Sequence, residues 1–147
     1  MVTLDLGAIY GGYCSDNRRY AYTGAPPRAM TERYVTMVAI VDAVGALLVP
    51  GATYSTGFRR ALELYEQSGV RPLDRFTHVG HNIGLETEER WLDDNPEAVI
   101  RPGMAINIEL YTHADSGEQI GDEETYIVSA AGPERVSMLP REIRRAG

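Results

Sequence analysis

The sequence predicts an α+β fold, on three observations. Near the start, Leu4 to Asp16 holds two short β-like runs around the pair Gly11-Gly12. In the middle, Tyr34, Val38, Val41, Gly45 and Leu48 recur at helical spacing. Later, Met104, Ile106, Ile108 and Leu110 alternate with Ala105, Asn107, Glu109 and Tyr111, the period of a strand with two different faces. Strands toward both ends with helices between them fit α+β rather than a repeating βαβ pattern.

The first β-like run carries Asp5 and the second carries Asp16. With Tyr10 and Gly11 at the turn, Asp5 falls opposite Asp16. Directly opposed side chains have Cβ atoms roughly 4.5–5.5 Å apart, and like charges placed there repel. Such a pair is expected to need a cation between the carboxylates, unless a bulge at Gly11-Gly12 shifts the register.

Tyr20 to Thr23 extends the second strand, and Gly24-Ala25-Pro26-Pro27 is a loop. Thr31 is the expected N-cap of the first helix, with Glu32 in its first turn. Met37, Ile40, Val44 and Leu47 widen the apolar stripe, so this helix is expected to be well buried, and Pro50-Gly51 ends it. Ser55 opens a second helix, with Phe58, Leu62 and Tyr65 on one face and Gly69 as its C′ residue.

Arg71 to Arg75 is a connector. Phe76 to Leu85 is punctuated by glycine and holds His78 and His81, while Glu86 to Glu97 is expected to be a solvated acidic loop with a turn at Asp94-Asn95-Pro96. After Pro102-Gly103 comes the strand Met104 to Tyr111. His113 to Gly117 reverses the chain, Asp122 to Ala130 returns, and Arg135 to Leu139 is a last short strand before a basic tail.

Bulk properties bound the function. The chain has 147 residues, which suits one domain spanning 1–147. Its net charge of −7 argues against nucleic acid and anionic membrane surfaces as partners. The single cysteine, Cys14, excludes an internal disulfide and fits a reducing, cytoplasmic setting; it is read as a buried strand residue. The start, Met1-Val2-Thr3-Leu4-Asp5, has no basic region of the signal-peptide kind. The longest apolar stretch, Val35 to Val49, is broken by Asp42 and is shorter than the ~20 residues a bilayer requires.

The second hairpin repeats the acidic pairing of the first. With its loop centred on Ser116, Glu109 falls opposite Glu123. His81 lies between the two hairpins in sequence, on a segment whose glycines let backbones approach closely. A carboxylate facing inward from an apolar strand needs a partner. Arg18 or Arg19 would satisfy one such carboxylate, hardly four. Four carboxylates and one imidazole form an oxygen-rich set suited to Mn, Co, Zn or Fe(II).

Five motifs in this order resemble the pita-bread metallopeptidases, prolidase and aminopeptidase P more than methionine aminopeptidase. They are Asp5 with Gly7; Ser15-Asp16 with Arg19; Gly80-His81-Asn82-Ile83-Gly84-Leu85; Pro102-Gly103-Met104 with Glu109; and Glu123-Glu124-Thr125. The resemblance covers essentially the whole chain. It implies two divalent metal ions held by Asp5, Asp16, His81, Glu109 and Glu123, with Asp16 and Glu123 as bridges. It also implies that Glu109 acts as general base and His78 as a substrate-side histidine. The implied activity is hydrolysis of an Xaa-Pro peptide by a metal-bound hydroxide.

Three positions depart from that pattern. Glu88 stands where prolidase-like members carry a histidine that contacts substrate, and a carboxylate offers no hydrogen-bond donor there unless protonated. Leu110 follows Glu109 in place of a common proline, and Gly121 stands where a substrate-side arginine is common. A non-peptidase hydrolase or lyase on the same scaffold, acting on another small molecule, is therefore the alternative. The fold's first half normally precedes the first ligand aspartate, so the chain compares with the C-terminal half of a catalytic domain. The expectation is either a homo-oligomer or a missing half that covers the Asp5 strand, and an inactive remnant or interaction module otherwise.

Overall fold

The computed structural model describes every residue except Arg75, the last residue of the connector expected above. In chain order the elements are β1 (Val2–Tyr10), β2 (Tyr13–Thr23), α1 (Arg28–Gly45), α2 (Tyr54–Ser68), β3 (Gly80–Asn82), β4 (Arg90–Trp91), β5 (Ala105–His113), β6 (Gln119–Ser129), β7 (Gly132–Arg135) and β8 (Ile143–Ala146). The described strands form one sheet in the order β1-β2-β6-β5-β3-β4, with β7 on β6 and β8 parallel to β2. The α+β expectation holds.

The alternation in β5 separates two environments. Ile106, Ile108 and Leu110 are fully buried against α1, α2 and the β6 residues Tyr126 and Val128. Burial of each such side chain stabilises the fold by about 1.5–3 kcal/mol. Asn107, Glu109 and Tyr111 point to the other face, where the helices do not reach. β6, in mid-sheet, obeys the same rule: Asp122, Glu124 and Tyr126 face the helices, while Gly121, Glu123 and Thr125 face away.

Glycine permits two close approaches. A Cβ at Gly121 would lie 2.1 Å from the Leu110 carbonyl oxygen and 2.3 Å from the Tyr111 ring. At Gly80 (φ +151°) it would lie 2.0 Å from the Asn107 carbonyl oxygen. These glycines let β6 and β3 lie close on either side of β5.

The helix-side acids have partners of opposite charge. Asp122, with no exposed surface, accepts from Arg141 Nη2 at 2.5 Å and Nε at 3.1 Å, and from the Tyr34 hydroxyl at 3.1 Å. Glu124 is paired with Arg19 and lies 3.4 Å from Arg135 and 3.5 Å from Arg141. Arg141 also reaches Asp42 at 2.6 Å, so the C-terminal segment is fastened across the sheet to α1.

Several sequence expectations need correction. β1 and β2 turn at Gly11-Gly12, not at Tyr10-Gly11. Both glycines have positive φ, 58° and 89°, as the tightest type I′ hairpin turn requires. Asp5 therefore pairs with Arg18, and Asp16 with Gly7. α1 starts at Arg28 behind Pro27, so Thr31 lies inside the helix and no acid occupies the first turn. Its end comes at Gly45, where the chain tightens through Ala46 and Leu47 so that Leu48 tucks into the core.

The segment after Glu86 is not all solvated loop: Arg90–Trp91 pairs with β3, and Leu92 is buried. The last strands are Gly132–Arg135 and Ile143–Ala146 rather than Arg135 to Leu139. Cys14 is half-buried rather than buried, since it pairs with Ile9 on the exposed strand β1, and its amide donates to the Gly84 carbonyl at 2.7 Å. No described helix is long and apolar enough to cross a membrane.

Removing Arg141 strands the buried Asp122 carboxylate. We expect Arg141→Ala to cost about 3–5 kcal/mol, read as a lower urea midpoint at unchanged slope. A loss under 1 kcal/mol would show that the fastening contributes little. Gly121→Ala is expected to cost about 1–3 kcal/mol by the same measurement, since its new methyl meets backbone that cannot move aside.

Candidate metal centre

The helix-free face of the sheet carries the acids, in two rows that run across the strands. The first row is Asp5 on β1, Arg18 on β2, Glu123 on β6 and Glu109 on β5, each paired with the next. Two residues along, the second row runs Gly7, Asp16, then Thr125, Asn107 and His81. The Thr125 hydroxyl joins its two parts, donating to the Asp16 carbonyl at 3.3 Å. The expected pairing of Glu109 with Glu123 is present. The expected pairing of Asp5 with Asp16 is not, and Asp5 forms an ion pair with Arg18 instead.

Asp16, His81 and Glu123 each offer one ligand atom within 4.8 Å of the others, the only such group of three or more His, Cys, Asp or Glu among the described residues. His81 Nε2 lies 3.9 Å from Asp16 Oδ2. Its Nδ1 faces the Asn82 carbonyl oxygen at 3.2 Å, an acceptor only, which puts the ring proton on Nδ1 and leaves the Nε2 lone pair toward the acids. Trp91 stands edge-on to the His81 ring at 5.6 Å and lies over His78 at 4.0 Å. It thus limits how both rings can turn.

Around this triad sit donors that hold the carboxylates. Asn107 Nδ2 donates to Glu123 Oε1 at 2.6 Å. The Tyr111 hydroxyl lies 3.0 Å from Glu109 Oε2 and 3.3 Å from Glu123 Oε2. The Arg18 guanidinium stacks 4.2 Å over the Tyr111 ring. His78 Nε2 is 3.6 Å from Glu109 Oε1, and its Nδ1 is 3.0 Å from the Thr77 hydroxyl. A cavity of about 80 Å³, lined by Leu73, Phe76, His78, Glu109, Leu110 and Tyr111, opens beside these two groups.

The electrostatics follow from the crowding. Burial, then the charges of Asp16, Glu109 and Asp5, push the Glu123 carboxyl up to about 8. Burial, followed by the charge of Asp5, also raises Asp16. Burial works against the charge of Glu109 as well, but hydrogen bonding to His78 and the facing His81 hold that carboxyl below its ordinary value. Of the three acids so shifted, only the one at the edge of the triad, next to the cavity, is shifted downward.

The donor set fits a divalent metal ion. One imidazole nitrogen, one buried carboxylate and one half-buried carboxylate converge, and among the described residues the four acids of this face have a single guanidinium. Of the residues expected at the centre, Asp16, His81, Glu109, Glu123 and His78 all lie on this face, and Asp5 is paired with Arg18 rather than with Asp16. Sequence reading named Arg18 or Arg19 as the partner of one carboxylate, and it missed Asn107, Tyr111 and Trp91. Asn107 and Tyr111 were legible as the neighbours of Glu109 on its own face of β5. No pattern pointed to Trp91.

Comparisons with known proteins show the family and the fold. The sequence model of metallopeptidase family M24 matches residues 1–130. The chain is 31% identical to the Xaa-Pro dipeptidase of Pyrococcus furiosus over 97% of its own length and 41% of that protein. It superposes on the Xaa-Pro dipeptidase from Bacillus anthracis with a TM-score of 0.85 at 28% identity, covering 98% of this chain and 41% of that one. Similarity extends to the FACT complex subunit SPT16 of Oryza sativa subsp. japonica, 32% identical over 74% of this chain and 10% of that protein. The chain spans about 40% of the length of the first curated relatives it matches.

The raised Glu123 carboxyl has a consequence for stability. Its folded value, about 8, exceeds the ordinary 4.5, so the folded metal-free chain holds a proton that the unfolded chain releases. The stability due to Glu123 is complete below the ordinary value and is lost as pH rises through that window. We expect the Tm in chelator to fall across it, and Glu123→Gln to flatten the slope. A wild-type profile as flat as the variant's would contradict this account.

Proposed function

The chain belongs to metallopeptidase family M24, and from that premise we propose that its site serves metal-assisted hydrolysis of a short peptide at an Xaa-Pro bond. The single observation that carries the reading is the convergence of Asp16, His81 and Glu123 with Glu109 and His78 at their edge. A divalent ion held by the triad, manganese or cobalt suiting its oxygen-rich character, supplies Lewis-acid activation of water and of the peptide carbonyl when bound.

The chain's own side chains do the rest. Glu109, kept ionised beside the cavity, takes the proton of the attacking water. Its Oε2 is steadied by the Tyr111 hydroxyl, and its Oε1, toward His78, is the oxygen that accepts. His78, held through Nδ1 by Thr77 and packed on Trp91, presents Nε2 to the same place and is suited to hydrogen-bond the departing half of the substrate. The cavity wall of Leu73, Phe76 and Leu110 offers an apolar seat for a small side chain or ring.

β1 is exposed along its whole length, so on one side the acidic face has no wall among the described residues. We assign full turnover to the site once that side is walled, by more of a longer polypeptide or by a second copy of the chain. A reducing, cytoplasmic setting suits Cys14, which has no thiol partner in the sequence.

A second reading, a binding module without turnover, is favoured by the similarity to SPT16, whose name is that of a complex subunit, and by the departures at Glu88 and Gly121. One experiment separates the two. Xaa-Pro dipeptide hydrolysis is assayed with added manganese or cobalt, using this chain and a longer form where one exists, each beside its Glu109→Gln variant. Under the enzymatic reading, Glu109→Gln lowers kcat by about 100-fold to 10,000-fold while the variant still binds manganese. Metal binding without any Glu109-dependent hydrolysis would sink the peptidase reading in favour of the binding module.

A further inference from the structure

We propose that Arg18 is a built-in cation that takes the place of a second metal ion, so that the chain holds one divalent ion rather than two. The inference rests on the metal-centre reading above and concerns how many ions that centre accepts. Two ions in a shared hydrolytic site stand roughly 3.5–4 Å apart and share carboxylates. With the first at Asp16, His81 and Glu123, the acids left for a second are Asp5 and Glu109, with Glu123 as the shared bridge.

That place is filled by Arg18. Its Nη2 is hydrogen-bonded to Asp5 Oδ2, and its Nε lies 3.9 Å from Glu123 Oε2. The Nε is buried and has no hydrogen-bond partner among the described residues, so it acts there as charge beside the Glu123 carboxylate. The pairing register makes this position unavoidable, because Arg18 lies directly between Asp5 and Glu123 in the cross-strand row.

Two further residues hold the guanidinium in place. The Tyr111 ring lies beneath it at 4.2 Å, and that ring has room only because position 121 is glycine. The Tyr111 hydroxyl in turn engages Glu109, so the remaining acid also has a partner within the chain. A second ion would have to displace a guanidinium from Asp5 and approach that same positive charge.

The test is titration of manganese into the metal-free full chain, followed by calorimetry and electron paramagnetic resonance. Wild type is expected to saturate at one ion with the hyperfine pattern of an isolated Mn(II). Arg18→Thr is expected to take up a second ion and to show exchange-coupled Mn(II). Asp5→Asn, which leaves the triad intact, is expected to keep one ion with affinity within tenfold of wild type. This variant answers the question even if Arg18→Thr fails to fold.

Saturation of wild type at two coupled ions would overturn the proposal and leave the metal-centre reading standing. So would a single ion in well-folded Arg18→Thr, or a more than tenfold loss of affinity in Asp5→Asn. No binding at all by wild type would overturn both.

Discussion

The structure depends on how one face of a sheet tolerates four carboxylates. Once β5 and β6 pair with Glu109 opposite Glu123, two like charges are forced together at the centre of the sheet. Cross-strand repulsion of that kind destabilises a sheet unless something of opposite polarity lies within reach. The face answers with neutral donors, Asn107 and Tyr111, and with one cation, Arg18. Two other features of the site can be read as consequences: the raised Glu123 carboxyl and the space that Gly121 clears for Tyr111.

The two faces of β6 make the argument comparative. On the helix side, Asp122, Glu124 and the half-exposed Asp42 meet Arg19, Arg135 and Arg141. Charge is matched there, and the network fastens the C-terminal segment to α1. On the other side, Arg18 is the only guanidinium that Asp5, Asp16, Glu109 and Glu123 meet among the described residues. Buried charge left uncompensated is costly unless a bound cation completes it. It is therefore the unmatched face, not the matched one, whose acids fit a metal ion, although both contain buried acids on the same strand.

Much of this was legible in the sequence. The alternation of β5 gave both its faces, and the loop around Ser116 gave the register with β6, so Glu109 and Glu123 were paired correctly. Helix α2 and its C-terminal glycine followed from spacing and from the αL preference at Gly69, observed at φ 69°. What was not legible has physical reasons. The start of α1 is set by the rigid Pro26-Pro27 step ahead of it rather than by a side-chain cap. β4 is two residues long, and it pairs only because β3 is already there to receive it. Trp91 contributes through packing on two histidines, a contact made in space between segments with no shared pattern.

The first hairpin shows the limit most clearly. Turning at Tyr10-Gly11 pairs Asp5 with Asp16, whereas turning at Gly11-Gly12 pairs Asp5 with Arg18. Both partners lie on the same face of β2, because they are two residues apart. Alternation of polar and apolar residues therefore cannot tell the two registers apart, and only the turn's demand for positive φ does. The acidic pair that called for a cation is not formed, and Asp5 faces the guanidinium of Arg18 instead. Two glycines far out on an exposed hairpin thus decide which charge stands beside Asp5, and through it what the neighbouring acids remain free to bind.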